Sequence, residues 1–191
     1  MIDKVFVTNR MMVLQLCLGM SNIYRMIFKD NTEDILEITK NKYKDEKFIL
    51  ISCFGNRNCL ISEEPNGKPT PHVLINNVEK VNNLKALGMV DYINVYFDDV
   101  TPEYIENLDN KEAYTFELFK ESDVLKIIEF VESYIHTDEK VNLLVHCDAG
   151  ISRSGAVAVS LCEMYDLTKE YIHKHIKPNE YVLKMFKDTV S

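Results

Sequence analysis

The chain of 191 residues has no tryptophan, only six glycines and five prolines, and no surplus of positive charge. It contains no internal repeat, low-complexity tract or Gly/Pro-rich linker that would divide it, so one domain spanning 1–191 is expected. Lysine and arginine number 22 against 30 aspartates and glutamates, a net charge of −8. Without a basic stripe, nucleic acid and anionic membrane surfaces are excluded as expected partners. Long hydrophobic runs are also missing. The longest near the start, MMVLQLCLGM at 11–20, is too short to cross a bilayer. It has no basic flank or small-residue cleavage site, so no signal peptide is read. Paired cysteines are the last absence. Five of them, at 17, 53, 59, 147 and 162, form an odd set without paired spacing. That pattern points to reduced thiols in the cytoplasm rather than a disulfide framework.

What is present is ordinary globular material, 46% hydrophobic and 27% charged, enough for a sizeable core. Four short apolar runs read as buried strands: FILISC (48–53), HVLIN (72–76), YINVYF (92–97) and VNLLVH (141–146). Helical patterns lie between and after them. NTEDILEITKNKY (31–43) opens with candidate caps, and 78–87 forms a short amphipathic piece that Gly88 could end. SDVLKIIEFVESYIH (122–136) places Val124, Leu125, Ile128, Val131 and Ile135 at helical spacing. Ser154–Tyr165 is rich in small apolar residues, and a last helix follows Pro178-Asn179 with Asn179 as its cap. SEEPNGKPTP (62–71) reads as a surface loop. Strands alternating with helices predict an α/β fold: a central, mostly parallel sheet of four to five strands flanked by helices on both faces. Sites in such sheets form at the carboxyl ends of strands.

One strand end carries chemistry. VNLLVHCDAGISRSGAVAVS (141–160) runs from an apolar strand through His146-Cys147 into a loop of small residues, then Arg153-Ser154 and a helix. Ala149, Gly150 and Ser152 let backbone N–H groups turn inward, and the helix start adds unpaired N–H groups and the positive end of its dipole. Such a nest suits a tetrahedral dianion. Arg153 offers a planar fork for two phosphate oxygens. The same field favours a thiolate at Cys147, a nucleophile at neutral pH.

HCDAGISRSG resembles the phosphate-binding signature of cysteine-based protein tyrosine phosphatases, His-Cys, five residues, Arg-Ser/Thr, and its Ala-Gly-Ile-Ser-Arg-Ser core is most similar to the dual-specificity subgroup. The resemblance is specific over 92–188 and rests before residue 90 on element order alone. It implies a phosphatase-like fold and hydrolysis through a phosphocysteine on Cys147, without metal or cofactor. Arg153 and the amides of Asp148, Ala149, Gly150, Ile151 and Ser152 would hold the phosphoryl oxygens. Ser154 would hydrogen-bond the sulfur as it leaves, and His146 would orient the loop without acting as base.

The resemblance also implies an aspartate acid on the loop after the strand preceding the long helix. Here NVYFDDVTPEY offers Asp98 and Asp99. Val95 and Phe97 share a face at period two, which Asp99 continues and Asp98 leaves. In dual-specificity relatives the acid stands four residues after such a valine, which favours Asp99, with Asp98 as the alternative. Residues 100–120 are longer than usual for that subgroup and read as an insertion, a lid or a substrate-facing flap. KNKY (40–43) is similar to a pocket motif of tyrosine-specific phosphatases, but those enzymes carry a Trp-Pro-Asp acid loop and this chain has no tryptophan. KNKY is therefore read as a helix end. His173 and His175 are read as surface histidines, and Cys53, Cys59 and Cys162 as packing thiols, the first two within reach of an oxidised Cys147 if the fold brings them close. Arg57, in the loop after the 48–53 strand, is not assigned to the site. The loop contains Asp148 and no lysine, which disfavours inositol lipids and capped RNA ends. The expected substrate is a protein phosphotyrosine, with phosphoserine and phosphothreonine left open. The competing readings are a phosphate-binding module without turnover and a phosphatase of a non-protein phosphomonoester.

Overall fold

A computed structural model describes residues 1–9, 13, 47–55, 82, 84–109, 115–169, 172 and 174–190. Four strands, β1 (Ile2–Asn9), β2 (Phe48–Phe54), β3 (Met89–Tyr96) and β4 (Val141–Cys147), form one sheet in the order β1-β4-β2-β3. Every pairing in it is parallel. Helices among the described residues include α1 (Pro102–Glu106), α2 (Glu121–Ile135), α3 (Arg153–Met164) and α4 (Glu180–Val190). This is an α/β architecture, and among the described residues no helix is long and apolar enough to cross a membrane.

The two central strands, β2 and β4, are buried at every position, as expected of strands covered on both sides. Period two then divides them. Val5, Val7, Ile49, Ile51, Leu143, Val145, Cys147 and Val95 join one core with α2, α3 and α4. Phe6, Phe48, Leu50 and Leu144, of opposite parity, are buried as well. The register sets Thr8 and Ser52 on either side of His146, and Asn9 beside Cys147. All strands run the same way, so these residues share the carboxyl end of the sheet.

Three helices and three of the four expected strands fall close to where the sequence places them. Expected strand 72–76, loop 62–71, helix 31–43 and the apolar run 11–20 lie largely or wholly outside the described residues, as do Arg57, Cys59 and His173. β1 was not anticipated. Its charged Asp3 and Lys4 interrupt the apolar signal, and its hydrophobic stretch is only Val5–Val7. The inward face of α2 also differs from the expected one: Val124, Ile127, Phe130 and Val131 are buried, whereas Leu125 is exposed. The helix sits between the β3 edge and α4, which rotates Ile127 and Phe130 into the core.

An aromatic stack ties the last helix to the segment after β3. Phe97 and Phe119 lie 4.6 Å apart between ring centroids, and Phe119 stacks on Phe186 of α4 at 5.8 Å. All three are buried. Phe119→Ala is expected to destabilise the fold by about 3–5 kcal/mol, measurable as a lower denaturant midpoint with an unchanged slope.

Candidate functional site

β4 ends at Cys147, and α3 begins at Arg153. The loop between them reverses direction at Gly150, whose φ is +71°, a conformation that favours glycine. Glycine is required there for a second reason. A Cβ on Gly150 would fall 2.6 Å from the carbonyl carbon and oxygen of Thr8, so the end of β1 braces the loop by direct backbone contact. From the other side, Lys177 N–H donates to the Ile151 carbonyl (3.1 Å) and Asn179 N–H to the Ser152 carbonyl (3.3 Å). Thus the segment leading into α4 holds the loop opposite β1.

Cys147 is buried on the helix-covered face of the sheet. Two donors converge on its sulfur: Ser154 Oγ at 3.1 Å and Gly150 N–H at 3.2 Å. Both stabilise negative charge on sulfur. His146, one residue earlier, has the opposite parity. Its Nε2 lies 2.6 Å from Ser52 Oγ, and its ring meets Phe54 edge-on at 5.6 Å. The histidine therefore braces β4 against β2 and stands on the other side of the sheet from the thiol.

Arg153 opens α3 and is only 4% exposed. Its Nη1 donates to the Phe97 carbonyl at 3.1 Å, and Nη2 pairs with Asp148. Nε is buried with no hydrogen-bond partner among the described residues, a donor suited to an oxyanion. Burial works against the guanidinium charge, but Asp148 and Cys147 outweigh it, and Arg153 holds its proton more tightly than an ordinary arginine. The two other described thiols differ. Burial, reinforced by the charge of Cys147, pushes Cys53 far up, and burial pushes Cys162 up to about 11. Both are protonated at neutral pH.

The two aspartates after β3 occupy distinct environments. Asp98 is 1% exposed. Its N–H donates to the Glu117 carbonyl at 2.7 Å, and its Oδ2 accepts from Glu117 N–H at 3.0 Å. This reciprocal pair closes the base of the 100–120 excursion. Within that excursion, Thr101 Oγ1 caps α1 by accepting from Tyr104 N–H. A Cβ on Gly55 would lie 2.6 Å from Asp98 Oδ1 and 2.8 Å from Arg153 Nη1, so that glycine lets both side chains pack against the end of β2. Asp99 is partly exposed. Its Oδ1 accepts from Ser152 Oγ at 2.7 Å and Asn179 Nδ2 at 3.0 Å.

The fold thus gathers Cys147, Asp148, Gly150, Ser152, Arg153, Ser154, Asp98 and Asp99 at one sheet end, with Ile151 exposed on the loop. Sequence reasoning missed Thr8, Gly55 and the Phe97 carbonyl, and saw Asn179 only as a helix cap. A glycine directly after a strand, as at Gly55, was the one available signal for close backbone approach.

No protein-family model matches the chain, and no curated protein matches it significantly. Solved structures do resemble it. The human tyrosine phosphatase-like serine/threonine/tyrosine-interacting protein is 17% identical, with 82% of this chain and 83% of that one covered at a TM-score of 0.41. PTPMT1 in complex with PI(5)P is 13% identical, with 98% and 92% covered at a TM-score of 0.43.

Proposed function

We propose that the chain is a phosphatase that hydrolyses phosphomonoesters through a phosphocysteine on Cys147, with protein phosphotyrosine as substrate. The observation that carries this reading is the Cys147 sulfur, held by Ser154 Oγ and Gly150 N–H at 3.1 and 3.2 Å beside the buried Arg153. Few structural requirements would place a sulfur acceptor, a buried guanidinium with a spare donor and a glycine turn together. An in-line phosphoryl transfer to sulfur would use all of them.

In the first step the thiolate attacks phosphorus, the P–S bond forms and the P–O bond to the leaving group breaks. Asp99 gives its proton to the departing oxygen. In the second step Asp99, now a carboxylate, takes a proton from water as that water attacks phosphorus. The P–S bond breaks, and the sulfur leaves as a thiolate that the Ser154 hydroxyl stabilises. Arg153 and the N–H groups of the 148–152 loop hold the equatorial oxygens in both steps. Asp98 is the closing staple of the 100–120 excursion, and His146 braces the strand.

Residues 1–191 act as one domain in this reading, supported by the pairing of Ile2 in β1 with Val141 in β4. The phosphotyrosine assignment is supported by Asp148 and by the absence of lysine from the loop, which leave charge for one phosphoryl group rather than several. A reducing cytoplasmic setting fits the free Cys53, Cys147 and Cys162.

The test is turnover of a phosphotyrosyl peptide, a phosphoseryl peptide and PI(5)P by the intact chain, with acid-stable trapping of phosphoenzyme. The tyrosyl peptide is expected to give the highest kcat/KM and a phosphate label on Cys147. A higher kcat/KM on PI(5)P would overturn the substrate assignment, and turnover without labelled cysteine would overturn the mechanism. Asp99→Asn is expected to lower aryl phosphate turnover about a hundredfold and to flatten the alkaline side of the pH–rate profile. Asp98→Ala should act chiefly on the thermal midpoint. The reverse outcome would exchange the two roles.

A further inference from the structure

Asn179 lies where three parts of the molecule meet, and every polar group on it is used. Its Oδ1 accepts from Tyr181 N–H at 3.0 Å and Val182 N–H at 3.2 Å, capping α4. Its N–H donates to the Ser152 carbonyl, its carbonyl accepts from Leu183 N–H, and its Nδ2 donates to Asp99 Oδ1. The residue is buried. Cap formation explains Oδ1 and the carbonyl. It does not explain why the amide nitrogen reaches a carboxylate 80 positions away in sequence.

The donor pattern on Asp99 is one-sided. Ser152 Oγ and Asn179 Nδ2 both donate to Oδ1, and Oδ2 takes no hydrogen bond among the described residues. When the carboxyl group carries a proton, an Oδ1 that already accepts two donors is the carbonyl-like oxygen, and Oδ2 is the oxygen left for the transferable proton. We propose that Asn179 is a positioning residue for proton donation: by engaging Oδ1 it places the proton on Asp99 Oδ2 and fixes that oxygen relative to the loop at Ser152. This rests on Asp99 being the acid. A serine or alanine at 179 lets the carboxyl group turn, and the proton is then presented from either oxygen.

The experiment compares two aryl phosphates. Phenyl phosphate expels a basic phenolate that needs a proton, whereas 2,4-dinitrophenyl phosphate expels one that does not. Asn179→Ser and Asn179→Thr keep an oxygen that can cap α4 and remove the amide donor. Both are expected to lower kcat on phenyl phosphate about ten- to thirtyfold, part of what general acid catalysis supplies, with less than about a threefold change on the dinitrophenyl ester. The ratio of the two rates is taken within each folded sample, so a fall in stability does not imitate it. Equal losses on both esters in the two Asn179 variants would overturn the proposal. Asp99→Asn is measured alongside: if it too lowers both rates equally, the fault lies with the acid assignment, whereas a selective loss there and none at 179 rejects the role of Asn179 alone.

Discussion

Replacing Cys147 by serine is expected to lower aryl phosphate turnover by roughly four orders of magnitude while leaving oxyanion binding in place. A serine hydroxyl attacks only when a base removes its proton, and among the described residues no base is hydrogen-bonded at that position. The groups that reach the sulfur, Ser154 Oγ and Gly150 N–H, are donors. His146, the nearest imidazole in sequence, is engaged with Ser52 Oγ across the sheet face that Cys147 does not occupy. The variant keeps Arg153 and the loop amides, so orthovanadate or phosphate should still bind, by calorimetry, within a fewfold of the parent affinity. Serine that retained even a hundredth of the parent rate would mean that the sulfur does not attack.

Arg153→Lys is expected to cost about a thousandfold in kcat/KM, equivalent to about 4 kcal/mol of transition-state stabilisation. Charge alone is not what the position supplies. The guanidinium reaches the Phe97 carbonyl with Nη1 and Asp148 with Nη2, and still has Nε for an oxyanion. A lysine ammonium is a single point with no planar fork. Placed in this buried position it would satisfy one of those partners and leave the others unmet. Steady-state kinetics with one aryl phosphate, together with phosphate binding by the same variant, separates the effects: both should fall. A lysine variant with near-parent turnover would show that no bidentate contact is made.

How far the sequence reveals this arrangement depends on the range of the interaction. β2 and β4 are legible because strands buried on both faces become unbroken apolar runs. The loop is legible because small residues, a cysteine and an arginine stand within one strand-to-helix turn. Period two places Val95 and Phe97 in the core. β1 is hidden because its register comes from β4, which pairs with it from nearly 140 residues away. The contrast between Asp98 and Asp99 depends on Glu117, Ser152 and Asn179, and no local pattern announces those partners. Asn179 shows the limit most clearly. Its capping role follows from the residues beside it, whereas its contact with Asp99 exists only once α4 is docked.

The strand order also governs how the protein is made. β4 is the last strand in sequence, yet it lies between β1 and β2. On the ribosome, β2 and β3 can pair early, but among the described strands β1 has no neighbour until residue 147 has emerged, and the loop is not closed until Asn179 follows. Assembly is therefore long-range and slow, and during that wait the apolar edge of β2 is open to the wrong strand. Nascent chains arrested before β4 should aggregate, and the candidate site should appear only as the sheet closes.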